Sequence, residues 1–132
     1  MNPIMRVLPS AFLYLNGAIY TYVAWLFLSD PLVWFDALGV SVRSGVALTE
    51  LRSTYAGLFG GLSVFLLLCA WKKEWVESGT VLLVFSYAGL VAVRCWGILI
   101  DNAYNDFLLQ IYIAEWLSLV LALLAWFSIK KR

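Results

Sequence analysis

Four runs of apolar residues, about 7–28, 55–71, 80–100 and 107–129, make up most of this 132-residue sequence. At about 1.5 Å of rise per residue, a helix of roughly 20 apolar residues crosses a hydrocarbon layer about 30 Å thick, where helices satisfy the backbone without water. The second run is short for this unless Leu51 to Thr54 continue its helix, so it is taken as 52–71. The expected fold is all-α, an integral membrane four-helix bundle with short connections. Composition excludes a water-soluble globule: 64% of residues are hydrophobic and 13% charged, against roughly 25% charged in an ordinary soluble domain. No Pro/Ser-rich linker, fixed-period repeat or low-complexity run divides the sequence, which reads as one domain over residues 1–132. The first run is longer than a signal-peptide core and only Arg6 precedes it, so it is expected to stay in the mature protein.

The flanking cations set the expected orientation. Arg6, Lys72, Lys73, Lys130, Lys131 and Arg132 fall on one side of the layer, Arg43 and Arg52 on the other. Six against two places both termini in the cytoplasm. The loop from Ser29 to Thr49 is then external, and its apolar stretch from Pro31 to Leu38 is expected to lie in the interface. Trp34, Trp71, Trp75 and Trp126 sit near span ends, as an aromatic belt places them. With a net charge of +1 and no His, nucleic-acid binding is set aside, and no metal site or cofactor is expected.

Two charges interrupt spans. Arg94 lies in the third and Glu115 in the fourth, and each costs about 2.5–3.5 kcal/mol near the centre of a lone helix on insertion scales. Counted at helical rise from Asp101 and Phe107, they lie about 10 and 12 Å below the outer ends of antiparallel neighbours, nearly level. An Arg94–Glu115 ion pair neutralises both, either as a structural clamp or as the lining of a pocket. Tyr87 and Asp101 stand seven residues to either side of Arg94, expected on the same helix face.

The second span enters through Thr49-Glu50-Leu51-Arg52-Ser53-Thr54-Tyr55-Ala56-Gly57, which brings Glu50, Arg52 and Tyr55 to the outer interface. Thr49 is the expected cap, with Glu50 in the first turn where the dipole favours a negative charge. Gly57 and Gly61, four apart, have the spacing of a close helix contact, read as packing within the bundle, with a homodimer face as the alternative. In the first span, Asn16 is expected to make an interhelical hydrogen bond or to form a pocket floor. Cys69 and Cys95 differ too much in depth for a disulfide.

The set Glu50-x-Arg52-x-x-Tyr55-x-Gly57, Arg94-x-x-Gly97-x-x-x-Asp101 and Glu115 resembles an uncharacterised family of small bacterial inner-membrane proteins with four spans, a domain of unknown function. The likeness runs from about Asn16 to the C-terminus. In that family the second-helix motif usually reads Tyr-Gly-Gly, where Ala56 stands here, and its aspartate is often followed by glycine, where Asn102 stands here. The resemblance implies a bacterial plasma membrane and brings no activity with it. More distantly, Arg94, Tyr104 and Glu115-Trp116 are similar in spacing to a fungal membrane scaffold of the ergosterol pathway.

The leading expectation is a binding or accessory protein with an external-facing polar cavity built from Glu50, Arg52, Tyr55, Arg94, Asp101 and Glu115. It would hold a lipid-like or small amphipathic ligand or a segment of another membrane protein. The alternative is a proton-coupled transporter or membrane enzyme using Glu115 with Asp101 or Glu50. Small multidrug transporters share the four-span size but carry their essential glutamate in the first helix, where this chain has Asn16. A purely structural subunit is the remaining reading.

Overall fold

A computed structural model describes residues 3–131; Met1, Asn2 and Arg132, the last one of the cations used to orient the chain, lie outside the described residues. The elements are α1 (Pro3–Ser29), α2 (Pro31–Ala37), α3 (Gly45–Arg52), a π-helical stretch (Ser53–Leu58), α4 (Phe59–Trp71), a 3-10 turn (Lys73–Trp75), α5 (Val76–Leu99) and α6 (Asp106–Lys130). No strand occurs among the described residues. Four helices are long and apolar enough to cross a membrane: Pro3–Ser29, Gly45–Trp71, Lys73–Leu99 and Asp106–Lys130. Within their most apolar stretches, only 33, 28, 22 and 11% of residues are buried by the chain itself. Trp25, Phe85 and Leu117 point outward, each more than 60% exposed. Water does not tolerate such continuous apolar faces, so lipid is the solvent of this all-α, multi-pass chain.

The helices begin earlier than the apolar runs, and two of them start on polar caps. The second membrane-length helix starts at Gly45, with the Ser44 hydroxyl accepting a 3.1 Å hydrogen bond from the Ala47 amide. This overturns the expected Thr49 cap. Thr49 lies inside α3, where its hydroxyl donates to the Gly45 carbonyl, and Glu50 sits beyond the first turn. The fourth helix is capped by Asn105, whose Oδ1 accepts from the Leu108 amide at 2.8 Å.

The chain divides into two compact units, one of Tyr14–Leu68, the other of the residues up to Leu13 and from Cys69 onward. The first is held by aromatic rings. Phe35, fully buried, lies 4.9 Å from Phe27 and 5.2 Å from Tyr55; Tyr55 in turn lies 4.8 Å from Phe27, and Tyr20 sits 5.1 Å from Phe59. Such pairs add about 0.5–1.5 kcal/mol each beyond area burial. The loop between the first two membrane-length helices is therefore partly folded: Pro31–Ala37 forms α2, which buries Pro31 and Phe35 and leaves Leu32 and Val33 exposed. Gly39 ends α2 at φ 75°, and the Val40 amide reaches back to the Phe35 carbonyl at 2.8 Å.

In the second unit, α5 packs along α6. Thr80, Leu83, Val84, Tyr87, Val91 and Ile98 form the buried stripe of α5, while the buried residues of α6 are Glu115 and the small Ala122, Ala125 and Ser128, which permit close approach. Asn102, in the turn between them, has φ 53°. Glycine and asparagine tolerate that left-handed conformation best.

Gly57 and Gly61 do not form the expected seam within the chain. Both are exposed, and a Cβ added to either meets nothing within 4 Å. The tight glycines are Gly17, where a Cβ comes 2.7 Å from Leu67, and Gly79, where it comes 2.7 Å from the Cys69 Cβ. Spacing alone identifies a small-residue face without saying what covers it.

Candidate functional site

The polar residues singled out above fall into two groups, one per unit. In the second unit, the Arg94 Nε–H donates to both oxygens of Glu115, at 2.8 Å to Oε1 and 2.9 Å to Oε2. The expected ion pair between α5 and α6 thus forms, with side chains 25% and 9% exposed. Both carboxylate oxygens face one guanidinium, so neither charge is left alone in the layer. Tyr87, two turns away on α5, is buried. Asp101 is not on the same helix face: α5 ends at Leu99, and Asp101 lies in the following turn, exposed. The backbone leaves the helix before the seven-residue repeat reaches it.

In the first unit, the second membrane-length helix changes winding at the motif. Ser53–Leu58 is π-helical, a form that is rare and frequent at functional sites. Three hydroxyls bond back along this helix: Thr49 to the Gly45 carbonyl at 3.0 Å, Ser53 to Thr49 at 2.7 Å and Thr54 to Glu50 at 3.2 Å. Hydroxyl back-bonding of this kind loosens and bends helices. It also occupies the carbonyls one turn above Ser53 and Thr54, so these do not need another donor.

An open cleft of about 390 Å³ lies beside the changed winding, lined by Leu28, Thr49, Arg52, Ser53, Ala56 and Gly57. Arg52 is half-buried there, and its Nε is buried without a hydrogen-bond partner. A buried N–H left unsatisfied costs about 1–3 kcal/mol, and more on a charged group. The other such side-chain atom among the described residues is Trp126 Nε1, whose ring lies 5.2 Å from the Lys130 ammonium.

The remaining expected site residues do not join this cleft. Glu50 is exposed and outside its lining; Tyr55 is committed to the aromatic cluster, with Phe59 a further neighbour at 6.2 Å. Asn16 is buried in α1, 1% exposed, and does not line the cleft. The residues that sequence reasoning passed over are Thr49 and Ser53 as lining groups. Their signal was legible in retrospect: three hydroxyl residues immediately around a charged pair, followed by Ala56 and Gly57, mark a helix whose backbone bonds are open to competition.

Among the described residues, no group of three or more His, Cys, Asp or Glu side chains is placed to hold a metal ion. Comparison with curated proteins and with solved structures finds no match for the chain. Residues 9–127, nearly the whole length, match Domain of unknown function (DUF4345), and the chain belongs to that family.

Proposed function

We propose that this chain is a small membrane binding or accessory protein that holds a lipid-like or small amphipathic ligand, with Arg52 as the polar anchor and Arg94–Glu115 as a structural clamp. The observation that carries this reading is the Arg52 Nε, buried beside a cleft and without a partner. A chain with only 13% charged residues gains nothing structural from an unpaired guanidinium at a membrane-length helix. It gains a recognition group there once an acceptor arrives.

The distribution of cations supports an orientation with both termini in the cytoplasm and Arg52 toward the outer face. The resemblance stated above supports a bacterial plasma membrane as the setting. A segment of another membrane protein is the competing ligand. The transporter or enzyme reading draws less support, since Glu115, its proton carrier, has both oxygens on Arg94.

Native mass spectrometry of the protein and of Arg52→Gln, purified side by side in a neutral detergent, tests this. One amphipathic molecule retained per chain and lost from the variant is the expected result. Equal retention by both proteins, or by neither, contradicts it.

A further inference from the structure

We infer that the cleft at Arg52 is a site for one anionic phospholipid, its phosphate on the Arg52 guanidinium and one acyl chain along the face of Gly57 and Gly61 toward Val64. This rests on the reading of Arg52 as the anchor of an amphipathic ligand and names the chemical class of that ligand.

Three observations carry it. First, the Arg52 Nε is buried with no acceptor, while the carbonyls of Gly45, Thr49 and Glu50 each accept a hydroxyl from their own helix. A guanidinium in this position lacks an anion with accessible oxygens, and a phosphate meets its fork geometry. Second, Gly57 lines the cleft and is exposed, and Gly61 and Val64 continue one exposed face of α4 away from it. Gly57 and Gly61 place no side chain on that face, so a groove one Cβ deep runs down from the arginine. Third, the length agrees. From Arg52 to Gly61, nine residues rise about 14 Å, roughly half of a 30 Å hydrocarbon layer and therefore the depth of one leaflet. A free phosphate uses the first observation and leaves the other two without a role.

A second copy of the chain is the rival for this face, because exposed glycines four apart also suit a helix contact. In a parallel pair across those glycines, however, each Arg52 meets the same residue of the other copy, and like charges oppose the contact.

The test is a titration of the full chain in neutral detergent, followed by native mass spectrometry, with three probes: phosphatidylglycerol, diacylglycerol of the same chains, and glycerol phosphate. Phosphatidylglycerol is expected to bind one per chain at least tenfold more tightly than either of the other two. Arg52→Gln is expected to lose that preference and Arg52→Lys to keep part of it, while Gly61→Leu weakens the lipid by filling the groove. Diacylglycerol binding as tightly as phosphatidylglycerol overturns the phosphate assignment and leaves the amphipathic reading standing. Glycerol phosphate binding as tightly as the lipid overturns the acyl groove. Binding of none of the three overturns the inference and the reading beneath it together. A dimer abolished by Gly61→Leu, with no lipid preference, assigns the face to a second copy and overturns the inference.

Discussion

Two arginines within membrane-length helices, Arg52 and Arg94, are treated in opposite ways. Arg94, on α5, meets the carboxylate of Glu115 on α6 through both oxygens, and further along α6 the buried residues Ala122, Ala125 and Ser128 are small, so that the helices come close. Arg52, at the end of α3, sits where the helix changes winding, and its Nε has no partner. In the first case, the sequence supplies the counter-charge and the charge serves cohesion. In the second, cohesion comes from rings: Phe27, Phe35, Tyr55 and Phe59 hold the unit while the arginine stands outside their cluster. A charge in a membrane helix is thus not one kind of signal; its partner decides whether it is structure or recognition.

The largest effect expected from this contrast is at the clamp. Glu115→Ala leaves Arg94 uncompensated and should cost about 3 kcal/mol, read by denaturant unfolding in detergent. The double change Arg94→Met with Glu115→Leu should recover most of that loss, because replacing a buried pair by apolar residues of similar size is often neutral. Arg52→Gln removes the unsatisfied buried N–H and should leave stability unchanged or raise it by about 1 kcal/mol. Equal losses from Glu115→Ala and Arg52→Gln would erase the distinction between the two arginines.

A comparable loss should come from the rings of the first unit. Phe35→Ala removes a fully buried side chain from the middle of the cluster and should cost about 3 kcal/mol in the same assay. A small effect would mean that Arg52, not the rings, holds that unit. Smaller again is the effect at glycines. Gly79→Ala forces a Cβ to within 2.7 Å of the Cys69 Cβ and should destabilise by about 1–2 kcal/mol. Gly61→Ala meets nothing within 4 Å, and by helix propensity it should be neutral or stabilising by up to about 1 kcal/mol. The reverse order would place the tight helix contact on the Gly61 face.

Much of the fold was legible because hydropathy reports on lipid directly. Four long apolar runs become four membrane-length helices, and the level positions of Arg94 and Glu115 become an ion pair, since a charge in hydrocarbon has few alternatives. What escaped depends on local competition for backbone groups. Ser44 and Thr49 both suit a cap, and which one serves depends on where the α2–α3 loop ends. The π-helical stretch coincides with Ser53 and Thr54 bonding back to their own helix, a local feature that apolar periodicity does not register. Asp101 was projected along a helix that stops at Leu99, and Gly57 and Gly61 were read for spacing, which does not reveal whether a partner face lies within the chain or outside it.

The central claim, that Arg94 serves cohesion and Arg52 recognition, is tested most directly by the thermal unfolding midpoint in neutral detergent, measured with and without added phosphatidylglycerol. A ligand that binds the folded chain raises the midpoint. The account predicts that Arg52→Gln keeps or raises the basal midpoint and loses the lipid-induced rise, while Glu115→Ala lowers the basal midpoint and keeps the rise. A lowered basal midpoint in Arg52→Gln, or a lipid-induced rise that survives in it unchanged, would contradict the account.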